Sequence, residues 1–132
     1  MKNPIHVAFV DDEHFLHKII QFHFKKEITE GLIILHNFLD GEECLNHLQN
    51  KQKTEPLQHI FTDLIMPKVD GFTLVSLVGK SHPEIALYIL SATEQDRYRD
   101  RLAEINLTGF FTKPINFSSL KKFIIKQEQP CL

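Results

Sequence analysis

The 132-residue sequence is poor in the features that mark several classes of protein. It has no tryptophan and only two cysteines, Cys44 and Cys131, which lie far apart and form no CxxC pair, so no disulfide framework is indicated. No run approaches the roughly 20 apolar residues that span a bilayer, and no secretory apolar region follows Met1. The formal net charge of −2 excludes a global attraction to nucleic acid or to anionic membranes. These absences predict a reduced, cytoplasmic protein that binds neither nucleic acid nor membrane directly.

The composition is that of an ordinary globular domain. Hydrophobic residues make up 42% of the chain and charged residues 24%. A chain of this length buries a sizeable core without disulfides or structural metals. No repeat or composition shift marks a second domain, so we predict one domain over residues 1–127 and a short C-terminal tail over residues 128–132.

Five short apolar runs alternate with five amphipathic segments. In the amphipathic segments apolar residues recur at three- and four-residue spacing, as at Leu16, Ile19, Ile20 and Phe24, which is typical of helices. The predicted strands are residues 5–10, 32–38, 57–62, 85–90 and 107–112, and the predicted helices are residues 13–28, 41–49, 72–79, 93–105 and 117–127. Strict alternation predicts an α/β fold with right-handed crossovers, a doubly wound parallel sheet of five strands covered by five helices. The continuously apolar strands agree, because a strand buried on both faces need not alternate.

Reactive side chains follow four of the predicted strands. Asp11 and Asp12 end the first strand, Asp63 the third and Ser91 the fourth, and Lys113 follows the fifth. In an open parallel sheet, ligands bind beyond the carboxyl ends of the strands where the strand order reverses. We therefore expect the three acids, the hydroxyl and the amine to share one site.

These residue types favour phosphoryl chemistry. Crowded carboxylates repel one another unless a cation neutralises them, and hard oxygen ligands favour Mg²⁺, which commonly bridges to phosphate. Lys113 supplies a point charge suited to a phosphoryl oxygen. Asp63 is the best candidate for a nucleophile, since it stands alone on a central strand and a carboxylate can accept a phosphoryl group as an acyl phosphate.

The sequence resembles the receiver domain of bacterial two-component response regulators over nearly the whole chain. Each motif is weak alone, but all of them in this order are specific. The matching motifs are Val10-Asp11-Asp12, Asp63-Leu-Ile-Met66-Pro67 with Asp70-Gly71, Leu90-Ser91-Ala92, and Gly109-Phe110-Phe-Thr-Lys113-Pro114. The resemblance implies a flavodoxin-like sheet in the order 2-1-3-4-5 and a stand-alone receiver similar to chemotaxis regulators.

The resemblance also implies roles for the acids. Asp63 resembles the phospho-acceptor, which is charged from a phosphohistidine on a sensor histidine kinase or a histidine phosphotransfer protein. Asp11 and Asp12 resemble the pair that organises Mg²⁺. Asp12 is favoured as the direct ligand, together with Asp63 and the backbone carbonyl of Ile65.

A second group of residues resembles the switch of this family. Lys113 resembles the lysine that contacts the phosphoryl group, Ser91 the switch hydroxyl and Phe110 the switch aromatic. Phosphorylation would then bias the face formed by the fourth helix, fifth strand and fifth helix toward a downstream effector or a separate output domain.

The function implied by the resemblance is signalling and not enzymatic turnover. As a full chain the protein would act by docking or by relaying phosphoryl groups; as a piece of a longer protein its output domain would be missing.

In this interpretation Ile65 affects the rate at which the phosphoryl group on Asp63 is hydrolysed. It lies two residues beyond Asp63, beside the path of a hydrolytic water. An apolar side chain there cannot orient water, so we hypothesise slow autodephosphorylation.

Two alternative functions for the whole domain remain. A metal-dependent aspartyl phosphatase would typically carry a second acid at position 65, and a phosphorylation-independent pseudo-receiver would be expected to lose Asp63, Asp12 or Lys113.

Eight histidines invite a metal hypothesis. His14 and His17 lie with Glu13 on the first predicted helix, but the pair lacks the HExxH arrangement and no second cluster has ligand spacing. The spacing therefore disfavours a histidine metal site, and a solvated first-turn position is favoured for His14.

Overall fold

The computed structural model describes residues 3–50, 56–92 and 99–128. Its sheet has five parallel strands in the order β2-β1-β3-β4-β5. The strands are β1 Ile5–Val10, β2 Ile33–Phe38, β3 His59–Asp63, β4 Ala86–Ser91 and β5 Gly109–Thr112. Both the predicted fold class and the predicted strand order are confirmed.

In the described ranges, five helices lie in the connections between the strands, and the last helix follows β5. They are α1 His14–His23, α2 Lys25–Thr29, α3 Gly41–Gln49, α4 Gly71–Ser81, α5 Arg99–Leu102 and α6 Phe117–Glu128. The first predicted helix is present as α1 and α2. Its hydrogen bonds continue across the break, since the N–H of Phe24 donates to the Ile20 carbonyl at 3.0 Å and the Phe24 carbonyl accepts from Ile28 at 2.9 Å.

The fourth predicted helix is shorter at its C-terminal end than expected. It ends as α5 at Leu102 instead of Ile105, and the N–H of Glu104 bonds to the carbonyl of Arg101 at 3.3 Å, a three-residue turn that tightens the chain. Residues 93–98, which include its predicted start, lie outside the described residues, as do residues 129–132 of the predicted tail.

Hydrophobic residues pack on both faces of the sheet. Successive strand residues point to opposite faces, so Ala8 and Val10 join a first core beneath α3 and α4, while Val7 and Phe9 join a second core beneath α1 and α6. This two-sided burial accounts for strands that are apolar without alternation. Cys44 lies in the first core, where burial raises the pKa of its thiol to about 12.

Aspartate side chains start two of the helices. The carboxylate of Asp40 accepts from the N–H of Glu43 at 2.9 Å, and that of Asp70 accepts from Thr73 at 2.8 Å. Both helices thereby begin at a glycine directly beyond the sheet edge. Within the described part of the chain, no helix has the length and apolar character needed to cross a bilayer.

Candidate functional site

Asp63 is the last residue of β3, and the chain turns sharply after it. Its side chain is half-buried, and its Oδ1 accepts from the backbone N–H of Leu64 at 2.9 Å. The turn returns through Gly71, whose N–H donates to the Leu64 carbonyl at 2.9 Å. A Cβ at Gly71 would collide with the carbonyl oxygen of Asp63 and lie 2.9 Å from Cα of Leu64. Only glycine fits there, which explains why an Asp-Gly pair follows the Asp63 strand.

Asp11 is held on three sides at the end of β1. It is buried, with 3% of its surface exposed, whereas Asp12 is exposed. The N–H of Asp11 donates to the carbonyl of Phe38 on β2 at 3.0 Å, and its Oδ1 accepts from the N–H of Glu13 at 2.9 Å. Its other carboxylate oxygen, Oδ2, accepts from Nζ of Lys113 at 3.0 Å.

The three predicted acids converge. Asp11, Asp12 and Asp63 can each present one carboxylate oxygen such that these oxygens lie within 4.8 Å of one another. Among the described residues this is the only such grouping of three or more histidine, cysteine or acidic ligand atoms. All the donors are hard oxygens, so the cluster fits a divalent cation such as Mg²⁺. Ile65 lies on the loop that leaves β3, with a side chain that is 67% exposed.

Lys113 directly follows β5, and its side chain contacts the acids of the site. Its Nζ lies 3.0 Å from Oδ2 of Asp11 and 3.6 Å from Oδ1 of Asp63, and its backbone N–H donates to the carbonyl of Ser91 at 2.8 Å. Burial lowers the pKa of Lys113, but its hydrogen bond to Asp11 and the charges of Asp11 and Asp63 raise it more, so the net shift is upward. Lys113 therefore carries its charge at neutral pH.

The carboxyl of Asp63 has a raised pKa. Burial is the main cause; the charge of Lys113 opposes it, the charge of Asp11 adds to it, and the hydrogen bond from Leu64 lowers it. The carboxylate is thus less well stabilised than a solvated one. An added cation would relieve the repulsion between the carboxylates of Asp63 and Asp11.

Ser91 and Phe110 lie on the adjacent strands β4 and β5. Ser91 is 2% exposed, ends β4 and pairs with Thr112 of β5. Phe110 is half-buried, pairs with Ile89 and packs against the first core. The hydroxyl-bearing residue therefore adjoins Lys113 through the backbone, and the ring lies three residues before Lys113.

His17 contributes to the site in a way that the sequence did not suggest. Its ring is buried, with 7% exposed, and Nε2 lies 2.8 Å from the carbonyl oxygen of Asp11. Nδ1 lies 3.0 Å from Oδ1 of Asn37 on β2. His17 shares the buried side of the helix with Ile20 and Phe24, at three- and seven-residue spacing. A polar residue at this inward-facing position is the signal that could have identified it.

Comparisons with known proteins agree on one family. A family model described as "Response regulator receiver domain" matches residues 7–125. Relatives include the osmosensing histidine protein kinase SLN1 of Saccharomyces cerevisiae, 27% identical over 93% of this chain and 10% of the kinase. They also include the transcriptional regulatory protein CssR of Bacillus subtilis, 24% identical over 94% of this chain and 54% of the regulator. The chain thus spans about a tenth of one relative and about half of the other.

A solved structure matches the fold over most of both chains. The chemotaxis protein CheY4 of Vibrio cholerae superposes with a TM-score of 0.77 at 20% identity, covering 93% of this chain and 98% of that one. At this identity the likeness establishes the fold alone.

Proposed function

Since this chain belongs to the family of response regulator receiver domains, we propose that it is a phospho-accepting signalling receiver in which Asp63 takes a phosphoryl group from a phosphohistidine. One observation carries the proposal: Nζ of Lys113 lies 3.0 Å from Asp11 and 3.6 Å from Asp63, beside three converging carboxylates. A phospho-acceptor, a cation site and a lysine for phosphoryl charge are thus adjacent. Capping of helices alone would require no such lysine.

The transfer exchanges one bond for another. A carboxylate oxygen of Asp63 attacks the phosphorus, the P–N bond to the donor imidazole breaks, and the nitrogen keeps the electron pair and takes up a proton. Lys113 offsets charge on the phosphoryl oxygens, because catalysis of this step is mainly positioning and electrostatics. Asp12, Asp63 and the carbonyl of Ile65 would hold Mg²⁺, with Asp11 organising the site; bound Mg²⁺ supplies neutralising charge.

The phosphoryl group is then sensed through Ser91 and Phe110. The hydroxyl of Ser91 donates to a phosphoryl oxygen, and the half-buried ring of Phe110 moves further inward. These changes bias the face formed by α5, β5 and α6, which corresponds to the predicted fourth helix, fifth strand and fifth helix. A group that makes contacts in one conformer only shifts the population toward that conformer.

The partners follow from this role. The phosphoryl donor is a sensor histidine kinase or a histidine phosphotransfer protein, and the recipient of the signal is a downstream protein effector or a separate output domain. The domain, residues 1–127 in our proposal, works in the cytoplasm without contacting nucleic acid or membrane itself. It is a signalling module and not a turnover enzyme.

Incubation with Mg²⁺ and acetyl phosphate separates the three candidate functions. A receiver gains the mass of one phosphoryl group, a phosphatase releases inorganic phosphate steadily, and a pseudo-receiver does neither. We expect the first result for the wild-type protein and no mass gain for Asp63→Asn. Lys113→Ala should still be labelled but should show a weaker conformational response in amide exchange over β5 and α6. Equal labelling of Asp63→Asn would refute the assignment.

Ile65 is expected to lengthen the life of the phosphorylated state. Its side chain is exposed and apolar, so it orients no water for attack on the acyl phosphate. Ile65→Asn introduces a group that can orient water and should shorten the phosphoryl half-life several-fold, which a phosphate-release time course measures after the donor is removed. Ile65→Leu is the matched control and should behave as the wild type. A wild-type half-life equal to or shorter than that of Ile65→Asn contradicts the idea.

A further inference from the structure

His17 belongs to none of the short motifs on which the family resemblance was based, yet its ring contacts the backbone of Asp11 in the acidic site. The ring projects from the first turn of α1 onto the end of β1. Its Nε2 is 2.8 Å from the carbonyl oxygen of Asp11, the atom that begins the peptide bond between Asp11 and Asp12. The contact is buried, so water does not compete for that carbonyl.

The chemistry of this contact defines the donor. A carbonyl oxygen can only accept a hydrogen bond, so Nε2 of His17 carries the proton. The other ring nitrogen, Nδ1, lies 3.0 Å from Oδ1 of Asn37. Whether Nδ1 donates to that oxygen or accepts from a turned Asn37 amide, the donor at Nε2 is the same.

The second contact anchors the ring to the neighbouring strand. Asn37 pairs with Phe9 in the β1–β2 ladder, and the next residue of β2, Phe38, accepts the N–H of Asp11 at 3.0 Å. Edge strand β2 therefore holds Asp11 at both of its backbone polar groups, directly at the N–H and through His17 at the carbonyl. The carboxylate of Asp11 is in turn occupied by Glu13 and Lys113.

We infer that His17 is a positioning residue, which fixes the Asp11–Asp12 peptide through its hydrogen bond to the Asp11 carbonyl and so sets where the exposed carboxylate of Asp12 lies relative to Asp63. Asp12 follows that peptide bond immediately, so a rotation of the peptide displaces its side chain. Partners that orient the ligands of a metal typically change metal affinity by 10- to 100-fold when removed. The inference rests on the proposed function, since it concerns the same cation site.

The test measures Mn²⁺ affinity from the electron paramagnetic resonance signal of the free ion, together with the midpoint of thermal unfolding. His17→Leu keeps the bulk and removes the donor, and it should weaken Mn²⁺ binding by about tenfold. His17→Gln places an amide donor near the position of Nε2 and should recover most of the affinity.

A second buried histidine supplies the matched control. His6 is as buried as His17, at 7% exposure, and its Nδ1 lies 2.9 Å from Nε2 of His36, but it stands five residues before Asp11 on β1. At about 3.3 Å per residue it is roughly 16 Å away along the strand. His6→Leu should lower the unfolding midpoint as His17→Leu does, and should leave Mn²⁺ affinity unchanged.

The outcomes distinguish a failure of the role proposed for His17 from a failure of the proposed cation site. Equal affinity in the wild type and His17→Leu overturns the role of His17, as does a His6→Leu variant that weakens binding equally or a His17→Gln variant as weak as His17→Leu. Wild-type protein that binds no Mn²⁺, or binding unaffected by Asp12→Asn, overturns the proposed cation site itself and the role of His17 with it.

Discussion

Asp63 combines two demands that conflict in the metal-free protein. In the proposed function it must be ionised to attack phosphorus. Burial and the neighbouring charge of Asp11 nevertheless raise its pKa, and Lys113 and the Leu64 N–H compensate only in part. Such a carboxylate is held at a cost in stability that a cation can remove. This is the usual physical condition of a functional acid, as opposed to a structural one.

A prediction about stability follows from that raised pKa. Asp63→Asn replaces the carboxylate with a neutral group of the same shape, so the metal-free variant should unfold at a higher temperature than the wild type. The folded pKa lies above the unfolded one, so the wild type is penalised at pH values above the folded pKa. The penalty shrinks as the pH falls through the folded pKa and is gone below the unfolded value.

Thermal unfolding of both proteins across acidic to neutral pH checks this. The difference should be largest near neutral pH without metal, and should shrink at acidic pH and on adding Mg²⁺. A less stable Asp63→Asn at neutral pH in the absence of metal would contradict the account of the site's electrostatics.

The element that matters most to the site is the turn between β3 and α4. Gly71 begins α4 and lies so close to the end of β3 that a side chain there would overlap the carbonyl oxygen of Asp63. Gly79, in the same helix, would place a Cβ at an ordinary 3.6 Å from Cδ1 of Leu87. The two glycines therefore have different reasons to be present.

The same substitution should have opposite effects at these two positions. Gly71→Ala forces the turn away from Asp63 and should destabilise the protein by about 1 to 3 kcal/mol, the usual cost of overpacking. Gly79→Ala should stabilise it by about 0.5 to 1 kcal/mol, because alanine loses less backbone entropy in a helix. Urea denaturation midpoints at constant slope measure both. A Gly71→Ala variant at least as stable as the wild type would show that close approach is not what selects Gly71.

Element types were predictable from the sequence, and some details were not. Continuous apolar runs and three- to four-residue spacing reflect burial, which the sequence encodes directly, so the strands and the five helical segments were identified. The break at Phe24 coincides with packing of its ring near Phe9 and Phe117, at centroid distances of 5.8 and 6.2 Å. Contacts of this kind depend on how separate helices and strands pack together. The spacing of apolar residues in the sequence does not predict them.

At the scale of the whole molecule, the residues of the site were likewise predictable only in part. Asp11, Asp12, Asp63 and Lys113 were predictable because parallel strands end at one edge, so sequence position implied spatial proximity. His17 was not, because its contact depends on how α1 lies against β1 and β2. The sheet thus brings residues that are distant in sequence to one edge, while cores on both faces hold that edge in place.

The central claim is that this edge accepts a phosphoryl group at one residue. The most direct test treats the Mg²⁺-loaded protein with acetyl phosphate, reduces the acyl phosphate with borohydride, and locates the modified residue by peptide mass spectrometry. Reduction converts a phosphorylated aspartate to homoserine. We expect homoserine at position 63 only, dependent on Mg²⁺. Homoserine at Asp11 or Asp12, or none anywhere, would contradict the assignment of Asp63 as the phospho-acceptor.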